Sequence, residues 1–244
     1  MPGMDDDRQH WARVAAEWVA WARTPRHDSF WSYRAALADF IGPGTGAALD
    51  VGCGEGRVSR ELSALGYRVT ASDAVGELLA AAAAAESARA YVRADAAALP
   101  FGDACFDLVM AYNVWMDVPD VPSTAREMRR VLRPSGQGII SIVHPFTDRG
   151  RFANGRTDAP FVVRGSYFGR QRFEGVEQRG GLRMHFVGWS QPLEDYAEAL
   201  RGAGLAITAL REPRPDPGVA GEQLRHGTRM PYFLWLKVRP LPFP

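Results

Sequence analysis

The sequence predicts an α/β protein with a doubly wound, seven-stranded and mostly parallel sheet of the Rossmann-like kind, carrying a cap after its fifth strand. Strand-like apolar segments alternate with helical segments from residue 47 onward. The first strand, 47–51, runs into a glycine turn at 52–56, which in such sheets begins a helix and presents backbone N–H groups to a ligand. A glycine-rich stretch after residue 146 interrupts the alternation, and this interruption predicts the cap.

The first part of the chain supplies five of the seven strands. Their predicted ranges are 47–51, 67–72, 90–93, 106–112 and 138–143, and the helices between them are predicted at 55–65, 76–89 and 123–132. The fourth range is a mainly apolar run, which is typical of a buried parallel strand. The turn Arg133-Pro134-Ser135-Gly136 is predicted to end the third of these helices.

The stretch from Phe146 to Gln191 is predicted to lie over the mouth of the ligand cleft. Two strand-like segments, 170–178 and 182–189, flank Arg179-Gly180-Gly181, a pattern typical of a β-hairpin. A helix at 192–203 follows, and strands at 205–210 and 232–238 are predicted to form an antiparallel end of the sheet. The chain then divides into an N-terminal helical lid, 1–40, and one ligand-binding domain, 41–244, with the cap at about 146–191.

The N-terminal segment is rich in aromatic residues. Trp11, Trp18 and Trp21 are spaced seven and three residues apart, which places them on one helix face. We expect these three rings to pack the helix onto the domain rather than to contact a ligand. Trp31 and Tyr33 follow a polar turn and are the candidates of this segment for contact with a substrate.

Composition limits the function classes and partners. The 244 residues are 46% hydrophobic and 23% charged, as in ordinary globular domains, and the net charge of +1 indicates no nucleic-acid partner. The acidic N-terminus lacks the positive flank of a signal peptide, and no apolar run is long enough to span a membrane. Two cysteines make no disulfide framework, which predicts a cytoplasmic protein. We expect a monomer or homodimer without membrane association.

The spacing of the glycines in the turn distinguishes dinucleotide-binding sites from sites for other cofactors. A dinucleotide fingerprint reads G-x-G-x-x-G, whereas here the third glycine, Gly56, comes one residue early and Arg57 stands in its expected place. Asp50 precedes the first glycine by two residues. A carboxylate at that point would repel a pyrophosphate, and it suits a ligand with an amino group and a positive centre.

The next strand ends carry further polar residues. Because ligands of parallel sheets lie across the carboxyl ends of the strands, these ends are expected to meet at one site. Asp73 lies 19 residues after Gly54, where an acid can bind both ribose hydroxyls. Asp95 can accept from an exocyclic amine, and the backbone N–H of Ala96 can donate to a ring nitrogen. The fourth and fifth strands end at Tyr112-Asn113 and His144-Pro145.

These motifs resemble those of the class I S-adenosylmethionine-dependent methyltransferases, and in particular their small-molecule subgroup. The matching runs are Leu49 to Gly56, Asp73, Ala94 to Phe101, Phe106 to Val109 and Val131 to Gly136. The resemblance implies S-adenosyl-L-methionine as cofactor, and it implies the methionine part at the glycine turn, the ribose at Asp73 and the adenine at Asp95 and Ala96. The cofactor-binding residues expected on this basis are Asp50, Gly52, Cys53, Gly54, Asp73, Ala74, Asp95, Ala96, Tyr112 and Asn113.

The acceptor side departs from the family. Ser135 stands where members often have glycine, and the run 113–118 lacks the polar pair that many members carry after the fourth strand.

His144 is the candidate general base, because it ends the fifth strand. The candidate acceptor-pocket residues are Trp31, Tyr33, Trp115, Tyr167 and His185, with Tyr112 or Trp115 facing the sulfonium. The acceptor is a small molecule, its nucleophilic atom is open between oxygen, nitrogen and carbon, and no metal site is expected.

Three other functions are alternatives to methyl transfer to a small molecule. A nicotinamide dehydrogenase lacks support because its glycine spacing is missing. A nucleic-acid methyltransferase would need an Asn/Asp-Pro-Pro-aromatic run or a Pro-Cys nucleophile after the fourth strand, whereas the sequence there is Tyr112-Asn113-Val114-Trp115 and Cys105 precedes that strand. A non-catalytic module that binds S-adenosylmethionine or S-adenosylhomocysteine would carry the same cofactor residues and stays open.

Overall fold

The computed structural model describes residues 5–221 and 224–241. The helices are α1 (Asp5–Arg13), α2 (Ala15–Arg23), α3 (Phe30–Ile41), α4 (Arg57–Ala64), α5 (Gly76–Ala84), α6 (Val121–Val131) and α7 (Leu193–Gly202). The strands are β1 (Ala47–Val51), β2 (Arg68–Asp73), β3 (Ala90–Arg93), β4 (Phe106–Tyr112), β5 (Leu132–Val143), β6 (Gly150–Phe152), β7 (Phe161–Val163), β8 (Gln171–Arg179), β9 (Leu182–Ser190), β10 (Leu205–Arg211) and β11 (Phe233–Pro240).

A seven-stranded sheet in the order β10-β11-β5-β4-β1-β2-β3 forms the centre of the fold. Strand β1 pairs in parallel with both β2 and β4, and β5 continues the parallel half beside β4. Strand β11 runs antiparallel to both β5 and β10, which confirms the antiparallel end predicted from the sequence. The carboxyl ends of β1 to β5 therefore lie along one edge of the sheet.

Both faces of the sheet are covered by helices, as a doubly wound fold requires. On one face, α6 and α7 bury Met128 and Leu200 against apolar side chains of β1, β4 and β5. On the other face, α3 and α4 bury Leu37 and Leu62 against the sheet, together with Trp235 of β11. Helix α3 is thus part of the domain core, although the sequence analysis assigned it to the N-terminal lid.

Three of the differences between observed and predicted element boundaries concern the ends of α4 and α5 and the start of β5, and the backbone explains the first two. Helix α4 begins at Arg57 rather than at 55, since Gly56 has a φ of +91° that no helix accommodates. Helix α5 ends at Ala84 rather than at 89, and Glu86 has a φ of +49°. The predicted turn at 133–136 instead lies inside β5, where the pairing with β4 shifts register between Phe106 and Leu108.

The predicted hairpin in the cap is confirmed. Strands β8 and β9 pair antiparallel from Gln171↔Ser190 to Arg179↔Leu182, and the short strands β6 and β7 form a second antiparallel pair. Helices α1 and α2 contact β9, so the hairpin and these two helices lie together above the sheet edge. Within the described residues, the search for membrane spans finds no helix of sufficient length and apolarity.

Candidate functional site

A cavity of about 640 Å³ lies at the carboxyl ends of the parallel strands. Its volume falls within the range of roughly 300–1,000 Å³ that is typical of small-molecule sites. The structure brings all ten predicted cofactor residues to its wall. They are Asp50, Gly52, Cys53, Gly54, Asp73, Ala74, Asp95, Ala96, Tyr112 and Asn113.

The glycine turn forms one wall because its backbone adopts conformations that favour glycine. Gly52 and Gly54 have φ values of +66° and +55°. A Cβ at Gly52 would overlap the side chain of Val114, and a Cβ at Gly54 would lie 3.3 Å from Trp18 Nε1. The turn therefore offers bare backbone to the cavity, which allows a ligand to approach its N–H groups closely.

Asp73 links the end of β2 to the glycine turn. Its Oδ2 accepts a hydrogen bond from the backbone N–H of Gly54, and its Oδ1 accepts one from Val75, both at 2.8 Å. Burial raises the pKa of this carboxyl, and the backbone N–H donors oppose that change. Since an ionised carboxylate has about four acceptor positions, Asp73 can still receive hydrogen bonds from a ligand.

Asp50 is buried beneath the turn, where its Oδ2 accepts a hydrogen bond from Ser59 Oγ at 2.6 Å. Burial raises the pKa of Asp50 to about 7, the bond from Ser59 opposes the change, and the charge of Asp73 adds to it. A carboxyl group with a pKa near neutral pH therefore lies directly under the glycine turn. A cationic ligand would favour its ionised form.

The unfolding free energy is expected to fall as pH rises from about 4 to about 7. The folded pKa of Asp50, about 7, lies above its ordinary value of 3.8, so the folded state holds a proton that the unfolded chain releases. Stability from this source is fully present at low pH and is lost as pH passes the folded pKa. The loss is roughly 2–4 kcal/mol, and Asp148, with a pKa also raised by burial to about 7, adds to it.

Chemical denaturation of the wild type and of Asp50→Asn at several pH values measures this slope. The asparagine keeps an oxygen for Ser59 but cannot ionise, so its slope should be shallower. The matched control is Asp39→Asn on the exposed face of α3, which should keep the wild-type slope. Parallel slopes for Asp50→Asn and the wild type would contradict the expectation.

Asp95 has a partner that the sequence analysis did not predict. Arg8 of α1 donates from Nη2 to Asp95 Oδ2 at 2.6 Å, and the backbone N–H of Ala97 donates to Oδ1 at 2.9 Å. Helix α1 is thereby joined to the end of β3, across the part of the cavity assigned to adenine. Since the two residues are 87 positions apart, no sequence motif could have indicated this contact.

Arg57, which stands in the place of the third dinucleotide glycine, is a buried part of the cavity wall. Its Nη1 donates to Asp28 Oδ1 at 2.5 Å, and the two side chains are 8% and 11% exposed. The guanidinium carbon lies 4.9 Å from the ring centre of Trp18 and 5.7 Å from that of Tyr112. Tyr112 was predicted to face a sulfonium, whereas in this structure Arg57 lies over its ring.

The residues predicted for the acceptor side lie elsewhere in the structure. Tyr33 and Trp115 are buried in the two cores on opposite faces of the sheet, and Trp31 donates from its indole to Ala22 O. These aromatic residues pack the fold because their helix or loop turns them away from the cavity. The structure does not bring any of the three to the described cavity wall.

His144, Tyr167 and His185 also lie outside the described cavity wall. The Nε2 of His144 is 3.0 Å from Glu212 Oε1, while its Nδ1 accepts from the backbone N–H of Phe146. Tyr167 accepts from the backbone N–H of Leu193 at 3.0 Å. The Nε2 of His185 is 2.7 Å from Glu174 Oε1 across the hairpin. These contacts hold each of the three side chains outside the described cavity wall.

Trp11, Trp18 and Trp21 line the cavity, whereas the sequence analysis favoured packing without ligand contact. The helical spacing predicted that the three rings share one face. It could not indicate that this face lies over the cavity, because that depends on where α1 and α2 pack. Asp7 holds them there, because its carboxylate accepts from Arg172 Nη1 at 2.5 Å and from Trp189 Nε1 at 2.8 Å.

The hairpin end is fixed in a similar way. Arg179 Nη1 donates to the backbone oxygen of His27, and its guanidinium lies 5.1 Å from the ring centre of Trp21. The ring nitrogen Nε2 of His27 is 3.1 Å from Arg179 O. These contacts close the cavity above the glycine turn.

Carboxyl groups outnumber guanidinium groups in the cavity wall. Among the described residues, eight carboxyl groups and three guanidinium groups line the cavity. The carboxyl groups belong to Asp28, Asp50, Glu55, Asp73, Asp95, Asp117, Asp148 and Glu177. Asp117 and Asp148 follow β4 and β5 and were not predicted, since nothing in their local sequence marks them. No group of three or more metal-ligating side chains suited to a metal ion occurs within the described ranges.

This chain resembles known proteins in both sequence and structure. Residues 49–140 match a family model described as a methyltransferase domain. A malonyl-[acyl-carrier protein] O-methyltransferase of Erwinia pyrifoliae is 37% identical over 184 residues, which cover 72% of this chain and 68% of that protein. Matches to three further enzymes of that name cover 35% to 37% of their own lengths.

Solved structures share the fold over most of the chain. An S-adenosylmethionine-dependent methyltransferase from Mesorhizobium loti has a TM-score of 0.68 and 25% identity, and the match covers 87% of this chain and 98% of that one. The [4+2]-cyclase SpnF has a TM-score of 0.64 and 19% identity over 99% of this chain and 97% of its own. The second likeness concerns the fold alone.

Proposed function

We propose that this chain, which belongs to the class I S-adenosylmethionine-dependent methyltransferases, binds its cofactor along the ends of β1, β2 and β3 and methylates a small molecule held beside β4 and β5. One observation carries the placement. Residues from four separate strand ends, predicted to bind the cofactor, line a single cavity of about 640 Å³. Ligands of open α/β sheets occupy this edge as a rule.

The residues of the wall fit S-adenosylmethionine. The bare backbone at Gly52 and Gly54 leaves room where a Cβ would fill the space, as the methionine part requires. Asp73 retains free acceptor positions for ribose hydroxyls, and Asp95 retains them for an adenine amine, although each already accepts two hydrogen bonds. The excess of carboxyl groups favours a cofactor that carries a positive charge at sulfur.

Methyl transfer needs alignment and exclusion of water more than it needs acid or base groups. When bound, the cofactor supplies an electrophilic methyl group on its sulfonium. Asp73 holds the glycine turn through Gly54 and Val75 and so keeps the cofactor wall in one conformation. Asp7 and Arg179 hold α1, α2 and the hairpin over the cavity, which limits the entry of water.

The acceptor of the Erwinia relative is named as malonyl-[acyl-carrier protein]. For this chain we propose a small-molecule acceptor, because the volume of the cavity suits a cofactor together with a small partner. The free cysteines Cys53 and Cys105 support a cytoplasmic location, since reduced thiols are typical of that compartment.

The alternative function is a non-catalytic module that binds S-adenosylmethionine or S-adenosylhomocysteine. Such a module would carry the same cofactor residues, and His144, the predicted general base, lies outside the described cavity wall. Calorimetric titration with S-adenosylhomocysteine tests binding, and transfer of labelled methyl groups to a panel of amines, phenols and acids tests catalysis. Binding with transfer supports the proposal, binding without any transfer supports the module, and absence of binding contradicts both.

A further inference from the structure

Asp117 lies where the loop after β4 meets the β8–β9 hairpin above the sheet edge. It follows β4, lines the cavity, and donates its backbone N–H to Val114 O at 2.8 Å. The neighbouring Met116 O accepts from the backbone N–H of Trp189 in β9 at 2.7 Å. The loop after β4 and the hairpin are thus joined at this point. The backbone hydrogen bonds of Met116 and Asp117 fix the position of Asp117.

The hairpin approaches the Asp117 carboxylate closely. A Cβ at Gly188 would lie 3.1 Å from Asp117 Oδ1. The glycine therefore allows the hairpin backbone to lie this close to the carboxyl group. Burial, followed by the charge of Asp7 and with a smaller contribution from Asp73, holds the pKa of Asp117 well above its usual range, while the Trp11 indole opposes the change. A half-buried carboxyl group with other carboxyl groups nearby gains from a cationic partner.

The cations of the cavity wall are engaged with other acids. Arg8 pairs with Asp95, Arg57 with Asp28 and Arg179 with Glu177. Arg172, near the mouth, pairs with Asp7. Apart from Asn113 and Asp148, the wall near the ends of β4 and β5 is largely apolar. Its apolar side chains are Met116, Val118, Val143, Phe173, Val187 and Phe233.

We infer that the acceptor is an apolar amine, and that the Asp117 carboxylate binds its ammonium group and takes one of its protons before transfer. This inference rests on the proposed function and names the acceptor class for the same cavity. An ammonium group compensates the half-buried carboxylate and suits a wall in which carboxyl groups outnumber guanidinium groups, and an apolar body suits the side chains beside it. A carboxylate acceptor would be repelled, in contrast to the malonyl group in the name of the Erwinia relative.

The proposed step balances in protons and electrons. One ammonium proton passes to an oxygen of Asp117, which leaves a neutral amine and a neutral carboxylic acid. The nitrogen lone pair then forms the N–C bond to the methyl carbon, and the electrons of the breaking C–S bond return to sulfur. The product is a methylated ammonium ion, and the removal of the first proton lowers the repulsion between the two cationic groups before the bond forms.

Binding of matched probes tests the acceptor class without knowledge of the natural acceptor. The full-length protein is saturated with S-adenosylhomocysteine and titrated with benzylamine, benzyl alcohol and benzoate, which share one ring and differ in charge. We expect benzylamine to bind at least about tenfold more tightly than the alcohol, and benzoate to bind most weakly. A benzoate affinity equal to or above that of benzylamine would overturn the inference, as would equal or absent binding of all three.

Variants assign the preference to this residue. Asp117→Asn should weaken benzylamine binding by at least about tenfold and leave that of benzyl alcohol nearly unchanged, whereas Asp117→Glu should retain the preference. Asp39→Asn, on the exposed face of α3, is the matched control. An undiminished amine preference in a folded Asp117→Asn protein overturns the role. The first titration separates the two proposals, because loss of S-adenosylhomocysteine binding contradicts the function and probe results contradict only the acceptor class.

Discussion

Replacement of Asp73 by alanine is expected to weaken S-adenosylhomocysteine binding by about 100-fold or more. The change removes the acceptor of two backbone N–H groups, those of Gly54 and Val75, and also the acceptor proposed for the ribose hydroxyls. In the bound state each ribose hydroxyl left without its acceptor costs about 1–3 kcal/mol, and about 1.4 kcal/mol corresponds to a factor of ten in affinity. The loss of the bonds to Gly54 and Val75 also loosens the turn that the ligand contacts. Calorimetric titration of the purified variant measures the effect.

Two further variants make the Asp73 result specific. Asp73→Asn keeps one oxygen but brings an NH₂ group toward a backbone donor, so its affinity should fall between those of wild type and Asp73→Ala. Asp39→Ala removes an exposed carboxylate that pairs with Arg211, and it should bind like the wild type. A folded Asp73→Ala protein that retains affinity within about twofold would show that this carboxylate does not hold the cofactor.

Replacement of Gly56 by alanine is expected to lower the unfolding free energy by about 3 kcal/mol. The φ of +91° costs an alanine about 1–2 kcal/mol, and its Cβ would overlap Ser87, for which overpacking adds about 1–3 kcal/mol. Ser87 cannot easily move, because it is buried and accepts from Arg60 Nη1 at 2.7 Å. Urea denaturation measures the change.

Gly165 supplies the matched control for Gly56. Its φ of +72° imposes a similar backbone strain, but no atom lies within 4 Å of a Cβ at that position. Gly165→Ala should therefore lose only about 1 kcal/mol. Equal losses in the two variants would mean that Ser87 gives way and that backbone conformation alone explains the requirement for glycine at 56.

The part of the cavity wall proposed to hold the cofactor could be predicted to come together, because its determinants are local in sequence. A buried strand that ends at Asp50 and a turn with Gly52 and Gly54 specify their own geometry. Acids that end the next two strands, Asp73 and Asp95, reach the same edge because parallel strands begin and end together. Residue type and position along the chain were sufficient to bring these groups to one cavity.

The acceptor side could not be predicted in this way. Aromatic residue type predicted ligand contact for Tyr33 and Trp115, yet the same apolar surface places both in the core. Conversely, Trp11 and Trp18 line the cavity because α1 and α2 lie over the sheet edge. That placement depends on contacts such as Asp7 with Arg172 and Trp189, between residues more than 160 positions apart.

The sequence by itself determined the parallel sheet, the glycine turn without a pyrophosphate pattern, and the acids at successive strand ends. These features follow from hydrophobic periodicity and from the conformations that glycine alone adopts easily. Only the tertiary structure decided that Arg57 lies buried against Asp28, that Arg8 reaches Asp95, and that Asp117 lies between a loop and the hairpin. The reason is physical: charge pairs and cavity walls are made between distant segments, and their geometry exists only after the chain has packed.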